Sequence, residues 1–183
     1  RYGLFHRVTT AFGVTDEVDR LLEHKVKLRS GVSLVFDYTE ALTVIDVNTS
    51  GFARGSNHEE TVFRANLDAA REIARQIRLR NIGGIIVIDF IDMTEEEHKT
   101  AVVEELRREM IFDRTKTRVI GMSSLGLVEV TRKKVGREIS TVLLDRCPFC
   151  NGDAHAQSVD YVARKIKVGL KRLFADDRNK TAV

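Results

Sequence analysis

The stretch "GGIIVIDFIDM", residues 83–93, decides the fold of this chain. Its apolar centre is almost unbroken and rich in β-branched residues, which is typical of a strand in the middle of a sheet. Helical patterns precede and follow it, so we predict a central strand that is covered by helices on both faces. The strand ends on a carboxylate, Asp89, and this feature has a counterpart earlier in the sequence.

The residues before this stretch predict a hairpin and a long helix. Segments 32–37 ("VSLVFD") and 41–46 ("ALTVID") are rich in β-forming residues and are separated by a short polar turn. Apolar residues then recur at helical spacing from Val62 onwards, and "NIGG" supplies a stop near Arg80. A shorter helical pattern begins near Thr15.

The residues after this stretch continue the alternation of helix and strand. Thr94 and Glu97 have the spacing of a capping box at the start of an amphipathic helix. Segments "TRVIGM" and "LGLVEVT" predict two short strands, and a last helix begins near Val159. The prediction is an α/β fold in which strands and helices alternate around one sheet.

Composition sets limits on the class of protein. The chain has 183 residues, of which 43% are hydrophobic and 31% charged, with a net charge of +3. This is an ordinary globular balance, and no apolar run approaches the roughly 20 residues that a membrane span needs. There is no signal-peptide pattern, and two cysteines do not make a disulfide framework, so we expect a cytoplasmic protein.

Two aspartates occupy matching places in the pattern. Asp46 ends the apolar run of "TVID" and Asp89 ends that of "IVID", and the helix between them would make the two strands neighbours. A single aspartate at such a place is more often a turn or cap residue, but a pair favours a shared cation. Carboxylate oxygens suit Mg²⁺ or Mn²⁺. Asn48 would either orient a phosphate oxygen or water there, or form an Asx-turn.

The pair "CPFC", Cys147 and Cys150, permits two kinds of chemistry. A dithiol redox centre needs a helix after the motif, whereas a turn-like "NGDAH" follows here, so zinc is the stronger interpretation. Zinc needs four ligands, and His155 would be a third at most. A second copy of the chain that donates the same two thiolates would complete a site shared between two protomers.

Three long motifs, taken together, resemble the catalytic region of the RNase E/G family of bacterial endoribonucleases. They are "SGVSLVFDYTEALTVIDVNTS", "ETVFRANLDAAREIARQIRLRNIGGIIVIDFIDM" and "CPFCNG", and the resemblance runs from about residue 4 to residue 152. It implies a DNase I-like α/β sandwich subdomain at 31–144, after a helical lead-in at 1–30. A zinc-link at 145–153 and a C-terminal helical segment at 154–183 would follow.

The resemblance also implies a function. Asp46 and Asp89 would bind Mg²⁺, Asn48 would lie beside the scissile phosphate, and Cys147 and Cys150 would share Zn²⁺ in a dimer or a dimer of dimers. The family cleaves single-stranded RNA during RNA processing, including that of ribosomal RNA, and leaves 5′-phosphate and 3′-hydroxyl ends. The alternative is a catalytically weak module for RNA binding and zinc-linked dimerisation, because we expect the family's S1-like domain and 5′-end sensor to be missing.

Basic residues are the candidates for contact with the RNA backbone. Arg54 follows the first aspartate, and Arg132, Lys133 and Lys134 form a local concentration of positive charge. Such clusters suit phosphate contacts, although solvated surfaces produce the same pattern.

Overall fold

The structure, a computed structural model, describes residues 12–49, 58–145, 147–148 and 158–176. The helices of the described part are α1 (Val14–Leu22), α2 (His58–Arg80), α3 (Glu96–Met110), α4 (Ile139–Leu143) and α5 (Val159–Asp176). The strands are β1 (Lys25–Lys27), β2 (Val32–Tyr38), β3 (Leu42–Thr49), β4 (Gly84–Asp89), β5 (Thr117–Met122) and β6 (Leu127–Arg132). The chain forms two units, Arg1–Leu143 and Leu144–Val183, and α5 belongs to the second.

The six strands form one mixed sheet in the order β1-β2-β3-β4-β6-β5. Strands β3 and β4 are parallel, as expected for strands on either side of a helix, and every other neighbouring pair is antiparallel. The predicted α/β class and the β2–β3 hairpin are therefore confirmed. Strand β1 lies in the segment that was predicted as a helical lead-in, and it forms an edge of the sheet.

One face of the sheet packs against α2 and α3 to form the core. Side chains alternate along each strand, so Ile45 and Val47 of β3 and Ile86 and Ile88 of β4 are all buried on this face. The opposite face, here called the open face, carries Ile85, which is 52% exposed. The prediction that β4 is covered on both faces is therefore wrong within the part of the chain that the structure describes.

Helix α2 lies against the sheet because its inner side combines small and branched apolar residues. Ala65, Ala69, Ala70 and Ala74 are all buried and allow a close approach. The helix ends as predicted at Arg80, where Asn81 adopts a left-handed conformation with φ 52°. The N–H of Ile82 donates to the carbonyl of Ile77 at 3.0 Å and that of Asn81 to Arg78 at 3.2 Å, which is the Schellman pattern.

Among the described residues, no helix has both the length and the apolar character needed to cross a membrane.

Candidate active site

The two aspartates singled out in the sequence are paired across the parallel strands. Asp46 of β3 is the register partner of Asp89 of β4. Adjacent strands are about 4.8 Å apart, so the two carboxylates stand side by side. Both lie on the open face, because Ile45 and Ile88, their neighbours in sequence, are buried on the other. Strand β4 ends at Asp89 as expected, whereas β3 continues three residues past Asp46 to Thr49.

Asn48 is on the same face as the pair, because it lies two residues beyond Asp46 in the same strand. Its Nδ2 donates a hydrogen bond of 2.5 Å to Oδ2 of Asp46. Because Asn48 pairs with Ser33 within the sheet, it does not form the Asx-turn that was one of the two interpretations from the sequence. One proton of the amide nitrogen is used in the bond to the first carboxylate, and Asn48 is exposed.

Negative charge is concentrated around Asp89. Partial burial raises the pKa of this carboxyl above its usual value, and the charges of Asp46 and Asp92 raise it further. Three carboxylates are thus close enough to oppose one another's ionisation. Asp92 lies three residues past Asp89 and its charge reaches Asp89, whereas α3 begins only at Glu96.

The loop that follows Asp89 is held in place by a buried amide of α2. Asn66 is fully buried; its Nδ2 donates to the carbonyl of Ile91 at 2.8 Å, and its Oδ1 accepts from the N–H of Ile91 at 3.1 Å. Ile91 lies between Asp89 and Asp92, so these two bonds fix the main chain between two of the three carboxylates. The sequence offered a signal for this role, namely a polar residue within the buried stripe of α2.

The next turn of the loop is held by Glu59, at the start of α2. Glu59 accepts hydrogen bonds from the N–H and Oγ1 of Thr94, at 3.0 and 2.9 Å, and from the N–H of Glu95 at 3.3 Å. The predicted capping box is therefore wrong, because Thr94 binds another helix and the N-cap residue Glu95 makes no side-chain cap. His98 of α3 stacks on Phe63 of α2, with ring centroids 4.1 Å apart.

Of the basic residues predicted to contact RNA, the three that the structure describes lie away from the carboxylates. Arg132 is 6% exposed, and its Nε donates to Oδ2 of Asp113 at 2.7 Å, so it is a buried structural residue and we withdraw it as an RNA contact. Arg132 pairs with Gly84, at the opposite end of β4 from Asp89. Lys133 and Lys134 follow it and are exposed at that distant end, and their contact with RNA stays a prediction.

Of three further residues that were predicted from the sequence, the structure describes one. Arg54 and Cys150 lie outside the described residues. Cys147 is described and exposed. Within the described part, no three or more His, Cys, Asp or Glu side chains are grouped so that they could hold a metal ion. The pair Asp46 and Asp89 therefore offers a metal two protein carboxylates, which is the number that Mg²⁺ commonly takes while it keeps several waters.

A small cavity lies beside the loop that follows Asp89. It has a volume of about 220 Å³ and is lined by the loop after β4, including Asp92 and Met93, and by the turn between β5 and β6, including Leu125. Leu125 itself is 82% exposed. Neither Asp46 nor Asp89 lines this cavity.

Sequence comparison relates this chain to known ribonucleases. Residues 3–135 match the Ribonuclease E/G family. The chain is 47% identical to Ribonuclease G of Escherichia coli over 162 residues, which are 88% of this chain and 33% of that protein. It is 42% identical to Ribonuclease E of Nostoc over 144 residues, or 79% of this chain and 21% of that protein.

A plant relative extends the range of the similarity. The chain is 39% identical over 166 residues to the chloroplastic Ribonuclease E/G-like protein of Arabidopsis thaliana, covering 90% of this chain and 17% of that protein. The α/β fold and the site define a protein with paired acidic residues on two adjacent parallel strands, and the chain belongs to the ribonuclease E/G family. It spans about a third of the length of the Ribonuclease G proteins that it matches.

Proposed function

We propose that this chain carries the catalytic site of an endoribonuclease that cleaves single-stranded RNA and depends on Mg²⁺, with Mn²⁺ as a substitute. The observation that carries the proposal is the registered pair of Asp46 and Asp89 on one exposed face. Family membership supports RNA as the substrate, since the named relatives are ribonucleases. The whole chain would act in the cytoplasm in RNA processing, including that of ribosomal RNA.

The donor set fits a hard divalent cation. Two adjacent carboxylates oppose each other's charge, and the raised pKa of Asp89 reflects burial first and then this repulsion. A cation between them would relieve the repulsion, and the absence of a third described ligand group would leave coordination positions for water and a phosphate oxygen. When bound, Mg²⁺ would supply charge stabilisation at the phosphate and a more acidic water.

Each residue of the site has a separate role in this proposal. Asp46 and Asp89 would hold the cation on the open face. Asn48 fixes the rotamer of Asp46 through its hydrogen bond, while its second N–H is free to donate to a phosphate oxygen and its Oδ1 to accept from water. Asn66 and Glu59 keep the loop after Asp89 in one position. Attack by water on phosphorus with loss of the 3′-oxygen gives 5′-phosphate and 3′-hydroxyl ends.

We further propose the zinc-link and the organisation that goes with it. Thiolates are preferred zinc ligands, and two of them per chain are half of a tetrahedral set. Cys147 is exposed, as a ligand shared with a second chain must be. In this proposal Cys147 and Cys150 of two protomers hold one Zn²⁺ in a dimer or a dimer of dimers. The segments would be a lead-in at 1–30, a DNase I-like subdomain at 31–144, the link at 145–153 and a helical segment at 154–183.

A cleavage assay on a short unstructured oligonucleotide tests the catalytic proposal. We expect products with a 5′-phosphate in Mg²⁺ and none in EDTA. Asp19→Asn is the matched control for replacement of either site aspartate. Asp19 is an exposed aspartate of α1, so its replacement should leave cleavage unchanged. RNA binding without cleavage in Mg²⁺ would instead favour a module that binds RNA and dimerises through zinc but is catalytically silent.

A further inference from the structure

Strand β1 brings two lysines into line with the paired carboxylates. Lys25 pairs with Val35, Val35 with Asp46, and Asp46 with Asp89, so that one row crosses four strands. Residues paired in this way point to the same face of a sheet. Lys25 therefore lies on the open face, two strands from Asp46, or about 10 Å between the Cα atoms.

A second row runs parallel to the first. Lys27 pairs with Ser33, and Ser33 pairs with Asn48, so Lys27 stands two strands from the asparagine on the same face. The residue between them, Ser33, is small and 2% exposed, and its Oγ donates to the carbonyl of Asn48 at 3.5 Å. The opposite orientation is excluded for both lysines, because Val26 between them pairs with Leu34, which is 0% exposed on the core face.

Both ammonium groups are available to a ligand. Lys25 and Lys27 are exposed, and neither makes an ion pair or hydrogen bond with the part of the chain that the structure describes. Arg132, which was chosen from the sequence, differs in this respect, since it is buried against Asp113 at the other end of β4. The open face therefore carries positive charge at Lys25 and Lys27 and negative charge at the carboxylates around Asp89.

We infer that Lys25 and Lys27 form a subsite for the backbone phosphates of the RNA next to the scissile bond. This inference rests on the proposed function, since the carboxylate pair marks where the scissile phosphate would lie. The RNA strand crosses the sheet at right angles to its strands, from β4 and β3 over β2 to β1. A lysine contacts phosphate as a point charge without reading the base, so the subsite contributes affinity and orientation.

Lysines on β1 also have a structural explanation that must be separated from this one. Strand β1 is an edge of the sheet, and lysines at an edge discourage pairing with other chains. In that case their replacement would promote self-association and would leave RNA binding unaltered. The experiment must therefore measure the number of phosphate contacts.

The test is the salt dependence of RNA binding by the 183-residue chain. Anisotropy of a labelled unstructured oligonucleotide in EDTA gives binding without cleavage. Each phosphate contact on a single strand contributes about 0.7 to the slope of log K against log salt, so Lys25→Gln/Lys27→Gln should lower the slope by roughly 1.4. Between 50 and 200 mM salt the unaltered chain should thus lose roughly sevenfold more affinity than the variant.

Control variants and kinetics sharpen the result. Arg114→Gln/Arg137→Gln removes two exposed cations from loops beside the far end of β4 and should keep the slope, as should Lys25→Arg/Lys27→Arg. In Mg²⁺ the glutamine variant should raise KM and largely preserve kcat, because the lost contacts bind substrate and transition state alike.

A methylphosphonate scan of the oligonucleotide locates the contacts. Neutralising one or two phosphates on one side of the scissile bond should weaken binding of the unaltered chain and should have little further effect on Lys25→Gln/Lys27→Gln. An unchanged slope with intact cleavage would overturn the subsite alone. If the unaltered chain neither binds nor cleaves RNA, the proposed function and the subsite both fail.

Discussion

Asp46 and Asp89 occupy paired positions on the two parallel strands of the sheet, although 42 residues of the chain separate them. This relationship follows from the helix between the strands. The helix returns the chain to the end of the sheet at which β3 began, so β4 runs parallel to β3. Parallel register then places the two carboxylates side by side, and alternation places both on the open face.

Replacement of Asp89 should separate stability from metal binding. Because its charge is opposed by burial and by Asp46 and Asp92, Asp89→Asn should unfold at the same or a higher temperature than the unaltered chain in EDTA. Mg²⁺ should raise the unfolding temperature of the unaltered chain and of the control Asp19→Asn, but not that of Asp89→Asn. An equal rise with Mg²⁺ in all three proteins would contradict Asp89 as a ligand.

Replacement of Asn66 should impair catalysis through the loop that it holds. Asn66→Ala leaves the N–H and carbonyl of Ile91 without their buried partner and should cost about 1–3 kcal/mol in the free energy of unfolding. At a temperature where the variant is folded, kcat should fall more than tenfold while KM changes little, because the displaced loop carries Asp92 and follows Asp89.

The matched control for this prediction is Gln76→Ala. Gln76 is also a buried amide of α2, 4% exposed, but it binds Glu72 and Arg80 and has no contact with the loop. It should destabilise the protein and preserve kcat. Equal losses of kcat in the two variants would mean that Asn66 acts only through general stability.

The buried pair of Asp113 and Arg132 should make stability depend on acid pH. Burial opposes ionisation of Asp113, but hydrogen bonds from Arg132, Thr115 and Thr117 outweigh it and lower the pKa of this carboxyl. A lowered pKa in the folded state contributes stability that is present above the unfolded value of about 3.9 and is lost as pH falls through the folded value.

We therefore expect Asp113→Asn to lower the free energy of unfolding by about 3–5 kcal/mol at pH 7, since a buried cation remains unpaired. The difference in the free energy of unfolding between this variant and the unaltered chain should become smaller below about pH 4, as measured by urea unfolding at several pH values. Asp68→Asn, which removes a carboxylate paired with Arg71 on the surface, should cost at most about 1 kcal/mol. A loss for Asp113→Asn that is constant with pH would be inconsistent with this explanation.

The zinc proposal predicts a dimer with one metal ion for two chains. Cys147→Ser removes one of the two thiolates per protomer, so it should release zinc and give monomers in light scattering. Metal analysis of the unaltered chain should find half an equivalent of zinc per chain. A dimer that persists in the serine variant would show that the interface does not depend on the metal.

Much of this architecture could be predicted because it depends on local patterns. The hairpin, the long α2 and the strand ending at Asp89 follow from alternation, helical periodicity and the "NIGG" stop, which act within a few residues. The pairing of Asp46 with Asp89 could be anticipated because a helix connecting two strands favours parallel neighbours.

Other features depend on contacts between distant parts of the chain. Thr94 has the spacing of a cap, but its hydroxyl donates a hydrogen bond to Glu59 of α2 instead of capping α3. Arg132 belongs to a basic run, and only the sheet register shows that it faces Asp113 in the core. Lys25 and Lys27 are ordinary in sequence, and their position in line with Asp46 and Asn48 depends on the pairing of three strands.

The central claim is that Asp46 and Asp89 together hold the catalytic metal, and cleavage by Asp46→Asn in Mg²⁺ tests it most directly. The exchange keeps the size of the side chain and the partner of Asn48 but removes a charge and a hard oxygen ligand. The account predicts a loss of at least about a hundredfold in the rate of 5′-phosphate product formation, with unchanged folding by circular dichroism and an unaffected Asp19→Asn control. A rate within a few-fold of that of the unaltered chain would contradict it.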